Sequence, residues 1–111
     1  METLPEQVAR FGEHAHLVTV GEGGKPHVVS VLVGLEAERL LTDAGRTTTA
    51  NAAATPTVSL VWAAPPGEDY SLIVDGTAAV VGEQLSIRPT RAVLHRVATA
   101  AGDGPSCLTV L

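Results

Sequence analysis

Along most of the chain, apolar side chains recur at every second position in short runs separated by Gly, Pro, Asp and Glu. That period belongs to strands with one face toward a core. It predicts strands at 16–20, 27–33, 39–42, 57–63, 70–81, 85–88, 92–97 and 107–111. The first two are joined by Gly21-Glu22-Gly23-Gly24, a turn rich in residues that tolerate positive φ, and read as a hairpin. In the fourth, Val58, Leu60 and Trp62 share one face. Gly76 interrupts the fifth, the mark of a bulge or of a close backbone approach. Pro89-Thr90 separates the next two segments.

Two stretches break the alternation. Thr3-Leu4-Pro5-Glu6 has the form of a capping box, with Pro5 in the first turn, where its missing N–H costs nothing. The helix it opens ends near Phe11 at Gly12 and is expected to pack across an open end of a sheet. A second helix spans 45–55, favoured by Ala50, Ala52, Ala53 and Ala54 and capped by one of Thr47 to Thr49. It stops at Thr55-Pro56, because the residue before Pro resists the helical region. Surface loops fall at 64–69 and 98–105. These short strands with two small helices predict a mostly β protein, a small barrel.

Composition narrows this picture. The 111 residues make one domain over 1–111. With 45% hydrophobic and 17% charged residues the chain packs a core rather than staying disordered. Aromatics are only 3% (Phe11, Trp62 and Tyr70), so that core is built from Val, Leu and Ala. A domain this small buries a modest share of its surface, and pairing of two copies would add stability. The net charge of −5 and seven scattered basic residues argue against a general nucleic-acid binder. Cys107 stands alone, which excludes an intrachain disulfide and a multi-cysteine metal site. With no basic-then-apolar leader and no long apolar run, the expectation is a cytoplasmic protein with no membrane partner.

The chemistry gathers in residues 42–62, TDAGRTTTANAAATPTVSLVW: a strand end, a Gly turn with one Arg, a Thr-rich helix start, and a new strand after Pro56. Arg46 with Thr47, Thr48 and Thr49 suits a phosphate. Arg offers forked charged donors, Thr hydroxyls add more, and a helix N-terminus attracts anions. The plain alternative is an ordinary N-cap with a solvated Arg. Thr42 ends the entering strand within reach of the same group, or is a simple turn residue. Ser30, with Val31 beside it, breaks a Val- and Leu-rich strand; it either meets the polar edge of a flat ring or bonds to backbone. Trp62 covers such a ring or a seam between two copies, or sits in the core.

Elsewhere the residues offer less. His14 and His16 face one side of a strand but lack a third ligand, so no metal is expected. His27 reads as a surface residue, and His95 as one that reaches across to a partner. Ser106-Cys107 lacks a nucleophile elbow, and Gly21–Gly24 lacks the Lys-Ser/Thr of a P-loop. Any redox chemistry would be a cofactor's.

In order, the chain carries His16-Leu17-Val18-Thr19-Val20 and then Gly24-Lys25-Pro26-His27-Val28-Val29-Ser30-Val31. Asn51, Pro56-Thr57-Val58-Ser59-Leu60-Val61 and Asp75-Gly76-Thr77-Ala78 follow. This order resembles the pyridoxamine-phosphate-oxidase-like, FMN-binding split-barrel family. The resemblance implies a six-stranded split β-barrel with two short helices, dimeric, with cofactor sites along the homodimer interface. It implies FMN as cofactor, with a deazaflavin coenzyme or haem as alternatives. It assigns phosphate binding to Arg46, five positions before Asn51. Where the family often has a second basic residue, this chain has Thr48. The implied activity is that of a flavin-dependent oxidoreductase; a non-catalytic carrier or a cofactor-free interaction module are the other readings.

Overall fold

The computed structural model describes residues 2–98 and 105–111. Among them run β1 (His14–Val20), β2 (Pro26–Glu36), β3 (Arg39–Asp43), β4 (Thr57–Trp62), β5 (Tyr70–Val81), β6 (Gln84–Arg96) and β7 (Cys107–Thr109). Helix α1 (Leu4–Phe11) precedes β1, and α2 (Arg46–Ala54) lies between β3 and β4. Every ladder is antiparallel, in the order β3-β2-β1-β4-β5-β6-β7. A further pairing of β3 with β6 closes β1 to β6 into a six-stranded barrel. Closure satisfies both edges over that stretch, with Leu40 opposite Ile87 and Thr42 opposite Leu85.

Alternation in the strands fills the barrel. Leu17, Leu40, Leu60, Leu72, Leu85 and Ile87 are fully buried. As the composition requires, the core is aliphatic, with Trp62 its one large aromatic. A buried indole N–H needs an acceptor. Trp62 Nε1 finds it in the carbonyl of Gly12 at 2.9 Å, which fixes the end of α1 against β4. Among the described residues no helix is long and apolar enough to cross a membrane.

The start of α1 follows its sequence closely. The Thr3 N–H donates to Glu6 Oε1 at 3.0 Å, and the Glu6 N–H donates to Thr3 Oγ1 at 3.4 Å. The Thr3 backbone N–H, and after it the Thr3 hydroxyl, hold the Glu6 carboxyl below its usual range. A carboxyl whose pKa is lowered on folding stabilises the fold above its unfolded value and loses that contribution as pH falls through the lowered one. Thr3→Ala is expected to cost about 1 kcal/mol in urea unfolding at neutral pH. The difference between parent and variant should shrink on acidification through the carboxylate range. An unchanged gap would mean that Glu6 takes no part in the cap.

Elsewhere the structure revises local expectations. The late strands expected at 85–88 and 92–97 are one continuous strand, β6. Pro89 lies opposite Gly76 and Arg91 opposite Asp75, so Thr90 is the extra residue of a β-bulge. There a missing N–H breaks no regular ladder bond. β1 begins two residues earlier than expected, at His14. The cap of α2 is Gly45, not one of the threonines. β7 is short, yet the N–H groups of Val110 and Leu111 still reach the Ala92 carbonyl at 2.8 and 3.0 Å. Most of the loop expected at 98–105 lies outside the described residues.

Candidate functional site

The barrel is split on one side of β2. Residues 26–32 of this strand pair with β1, but β3 joins its other edge only at Val33 and beyond. Alternate backbone N–H and C=O groups along 26–32 therefore face away from any ladder. β3 meanwhile turns through Ala44 and Gly45 into α2. Between the free edge of β2 and the start of α2 lies a groove of about 350 Å³. Its β2 wall is His27, Val29, Ser30 and Val31, and its opposite wall runs from Asp43 to Thr48.

Donors are concentrated on that second wall. Gly45 caps α2 without a side-chain acceptor, and the first helical bond is from the Thr49 N–H to the Gly45 carbonyl at 2.9 Å. The N–H groups of Arg46, Thr47 and Thr48 lie above that ladder. The Arg46 guanidinium makes no ion pair with a described residue. Thr48 is only 3% exposed. It lines the groove, and its hydroxyl has no hydrogen-bond partner among the described residues. Asp43 adds one carboxylate at the β3 end. The set gathers hydrogen-bond donors and one cation beside an apolar strip.

α2 is held in place from below. Asn51 Nδ2 donates to Thr19 Oγ1 at 3.2 Å, and Thr19 is fully buried on β1. Asn51→Ala strands that hydroxyl and should cost about 1–2 kcal/mol in denaturant unfolding. A loss within the scatter of surface substitutions, about 0.5 kcal/mol, would show that the bond does not anchor the helix.

The structure brings Ser30, Val31, Arg46, Thr47 and Thr48 around one groove. Thr42 and Trp62 lie elsewhere. Thr42 alternates with Leu40 into the barrel, is 2% exposed, and gives its hydroxyl to the Asp43 carbonyl at 3.2 Å. Trp62 shares the inward face of β4 with Val58 and Leu60. Sequence reasoning missed His27, Val29 and Asp43 as groove residues. His27 is not the surface residue expected from the sequence: it is half-buried and in line with Val29 and Val31, and that i, i+2, i+4 spacing is the available signal. His14, His16 and His95 are exposed. Among the described residues no three His, Cys, Asp or Glu side chains converge as a metal site would require.

No family model matches the sequence, and no curated protein does. Solved structures do match the fold. An F420 reductase shares 20% identity at a TM-score of 0.66, over 80% of this chain and 98% of that one. A pyridoxamine 5'-phosphate oxidase-related, FMN-binding protein from Nostoc punctiforme shares 11% at a TM-score of 0.63, over 92% and 80%. HutZ, the haem storage protein from Vibrio cholerae, shares 17% at a TM-score of 0.57, over 80% and 89%. At these identities the likeness speaks for architecture. With the closed six-stranded barrel, its open β2 edge and its two helices, the chain has the split-barrel fold of the pyridoxamine 5'-phosphate oxidase-like, FMN-binding proteins.

Proposed function

We propose that the groove binds FMN, or a closely related flavin-type cofactor, by its phosphate, and that the chain works as a flavin-dependent oxidoreductase on a small substrate. One observation carries the reading. An unpaired Arg46 guanidinium, a helix start with no side-chain cap and a Thr48 hydroxyl with no partner among the described residues face one small groove. That is the donor set an ionised phosphate asks for. An F420 reductase, a haem storage protein and an FMN-binding protein share the fold, which supports a cofactor reading of the groove.

Bound there, a flavin would supply hydride transfer. The chain's own residues bind and orient. Arg46 and the N–H groups of Thr47 and Thr48 hold the anionic end. Val29 and Val31 present an apolar strip to a flat ring, and the free β2 edge offers backbone donors and acceptors to its polar rim. No side chain has to act as acid or base. A homodimer belongs to the same reading. Val28 and Leu32, each 57% exposed on the outer face of β2, are apolar surface that a second copy would cover and that would shield the ring from water. So does a cytoplasmic setting, where reduced nicotinamide donors are found.

The test is a titration of the purified protein with FMN followed by flavin fluorescence, with the deazaflavin coenzyme and haem in parallel. Micromolar or tighter FMN binding, and bleaching of bound flavin by a nicotinamide donor, are the expected results. Binding of haem alone would replace the oxidoreductase with a carrier. Failure of all three to bind would sink the cofactor reading.

A further inference from the structure

His14 and His16 alternate along β1 with the buried Ala15 and Leu17, so both stand on the outer face of the barrel, and both are exposed. Neither imidazole makes a hydrogen bond or an ion pair with a described residue. Residues two apart on a strand are separated by about 6.8 Å at Cα. Two imidazoles leaning together over that span bring their ring nitrogens to about 3.3 Å, the edge of a tetrahedron with metal–nitrogen bonds of about 2.0–2.1 Å. The pair is therefore spaced as a chelate for a divalent cation of the zinc class, for which neutral imidazole is a good ligand.

One chain supplies two ligands and stops there. Leu32 lies opposite His14, and Ser30 and Val61 flank His16. Asp75, on the same face but two strands away on β5, is engaged by the Ser59 hydroxyl at 2.6 Å and by Arg91 at 3.3 Å. Among the described residues no third His, Cys, Asp or Glu converges on the pair. The surroundings are those of a surface that meets its own copy. Val28 and Leu32 are each 57% exposed, and the Asp75 and Arg91 charges are paired with each other. A second copy can lie on this face without setting like charges opposite one another. Docked about a two-fold axis at β1, it brings its own His14 and His16 against the first pair. Four imidazoles then make the closed tetrahedral set that a structural zinc takes.

We propose that His14 and His16 of two copies form one divalent-cation site, of the zinc class, that clasps the homodimer through the outer faces of β1 and β2. The proposal rests on the homodimer reading above and adds to it an ion and its ligands. The experiment titrates zinc chloride into the metal-free parent, His14→Ala, His16→Ala and Val28→Lys proteins. Calorimetry reads stoichiometry and affinity, and sedimentation over a dilution series reads the dimer. One zinc per two chains should bind at micromolar or tighter affinity, and zinc at about 100 times its Kd should tighten the dimer about a hundredfold. Each histidine variant should weaken zinc binding at least about a hundredfold, more than the loss of an outer-shell partner costs. Both positions are exposed, so thermal unfolding of these variants without zinc should match the parent's. Val28→Lys keeps all four imidazoles but puts a cation on each docking face, and it should weaken zinc binding as well. One zinc per chain, no zinc binding, or binding that ignores the histidine substitutions or Val28→Lys would overturn the proposal. A dimer indifferent to zinc would overturn it too and leave the homodimer reading standing. A chain that stays monomeric with and without zinc would remove both.

Discussion

Gly76→Ala is expected to destabilise the fold by about 3 kcal/mol, a large share of what a small domain has. The substitution looks mild, since Gly76 has no positive φ for alanine to disfavour. The obstacle is space. A Cβ there would lie 2.6 Å from Ile87 Cγ2, 2.7 Å from the Arg88 carbonyl oxygen and 3.2 Å from its carbon. Ile87 is fully buried and cannot swing aside, and the Arg88 carbonyl is backbone in the partner strand. Relief requires β5 and β6 to move apart beside the bulge at Thr90. Gly34→Ala is the control, because a Cβ at Gly34 meets nothing within 4 Å. It should be neutral, or stabilising by about 0.5 kcal/mol through the unfolded chain. Denaturant unfolding of the two variants reads the contrast directly. Equal stabilities would mean that the hairpin yields more easily than its packing implies.

Gly76 also shows how far the fold was legible. A Gly inside a long strand-forming run has few uses, and both expected ones, bulge and close approach, are present at once. The capping box at Thr3 and the inward face Val58-Leu60-Trp62 were equally readable, because each depends on residues a few positions apart. The misreadings have the opposite character. Pro89-Thr90 looks like a strand break until Gly76 is known to lie opposite, a contact between different strands. Gly45 displaced the threonines as cap of α2 because β3 is tied beyond Thr42: the Ala44 N–H reaches the Glu83 carbonyl at 3.1 Å, leaving Gly45 as the first residue free to turn.

The site divides along the same line. Arg46, Thr47 and Thr48 are neighbours in the chain at a helix start, so their convergence could be foreseen from residue type alone. That Ser30 and Val31 border the same groove follows from β3 leaving β2 at Val33, which only the strand pairing reveals. Thr42 and Trp62 are polar or amphipathic residues on inward faces. Their burial was set by alternation with Leu40 and Leu60, and each satisfied its polar atom from a nearby carbonyl. Thr48 makes the complementary point: as deeply buried as Thr42, it has no such carbonyl and faces the groove.

Replacing Arg46 by alanine should weaken FMN binding by about ten- to a hundredfold, the range of a charged hydrogen-bond pair to a phosphate. The side chain is exposed at the groove rim, and no described residue pairs with it, so its removal should leave unfolding stability within about 0.5 kcal/mol of the parent. That separation makes the variant informative: affinity should fall while the fold stays. Riboflavin, which lacks the phosphate, should bind parent and variant alike. Arg46→Lys should fall between the two, because it keeps the charge and loses the fork. Because the charge is near solvent, added salt should weaken the parent's FMN binding more than the variant's. Thr48→Val, which removes one neutral donor and fills the same volume, should cost several-fold at most. Isothermal titration of FMN and riboflavin into the four proteins tests the whole set. FMN binding that ignores Arg46 would move the phosphate out of this groove.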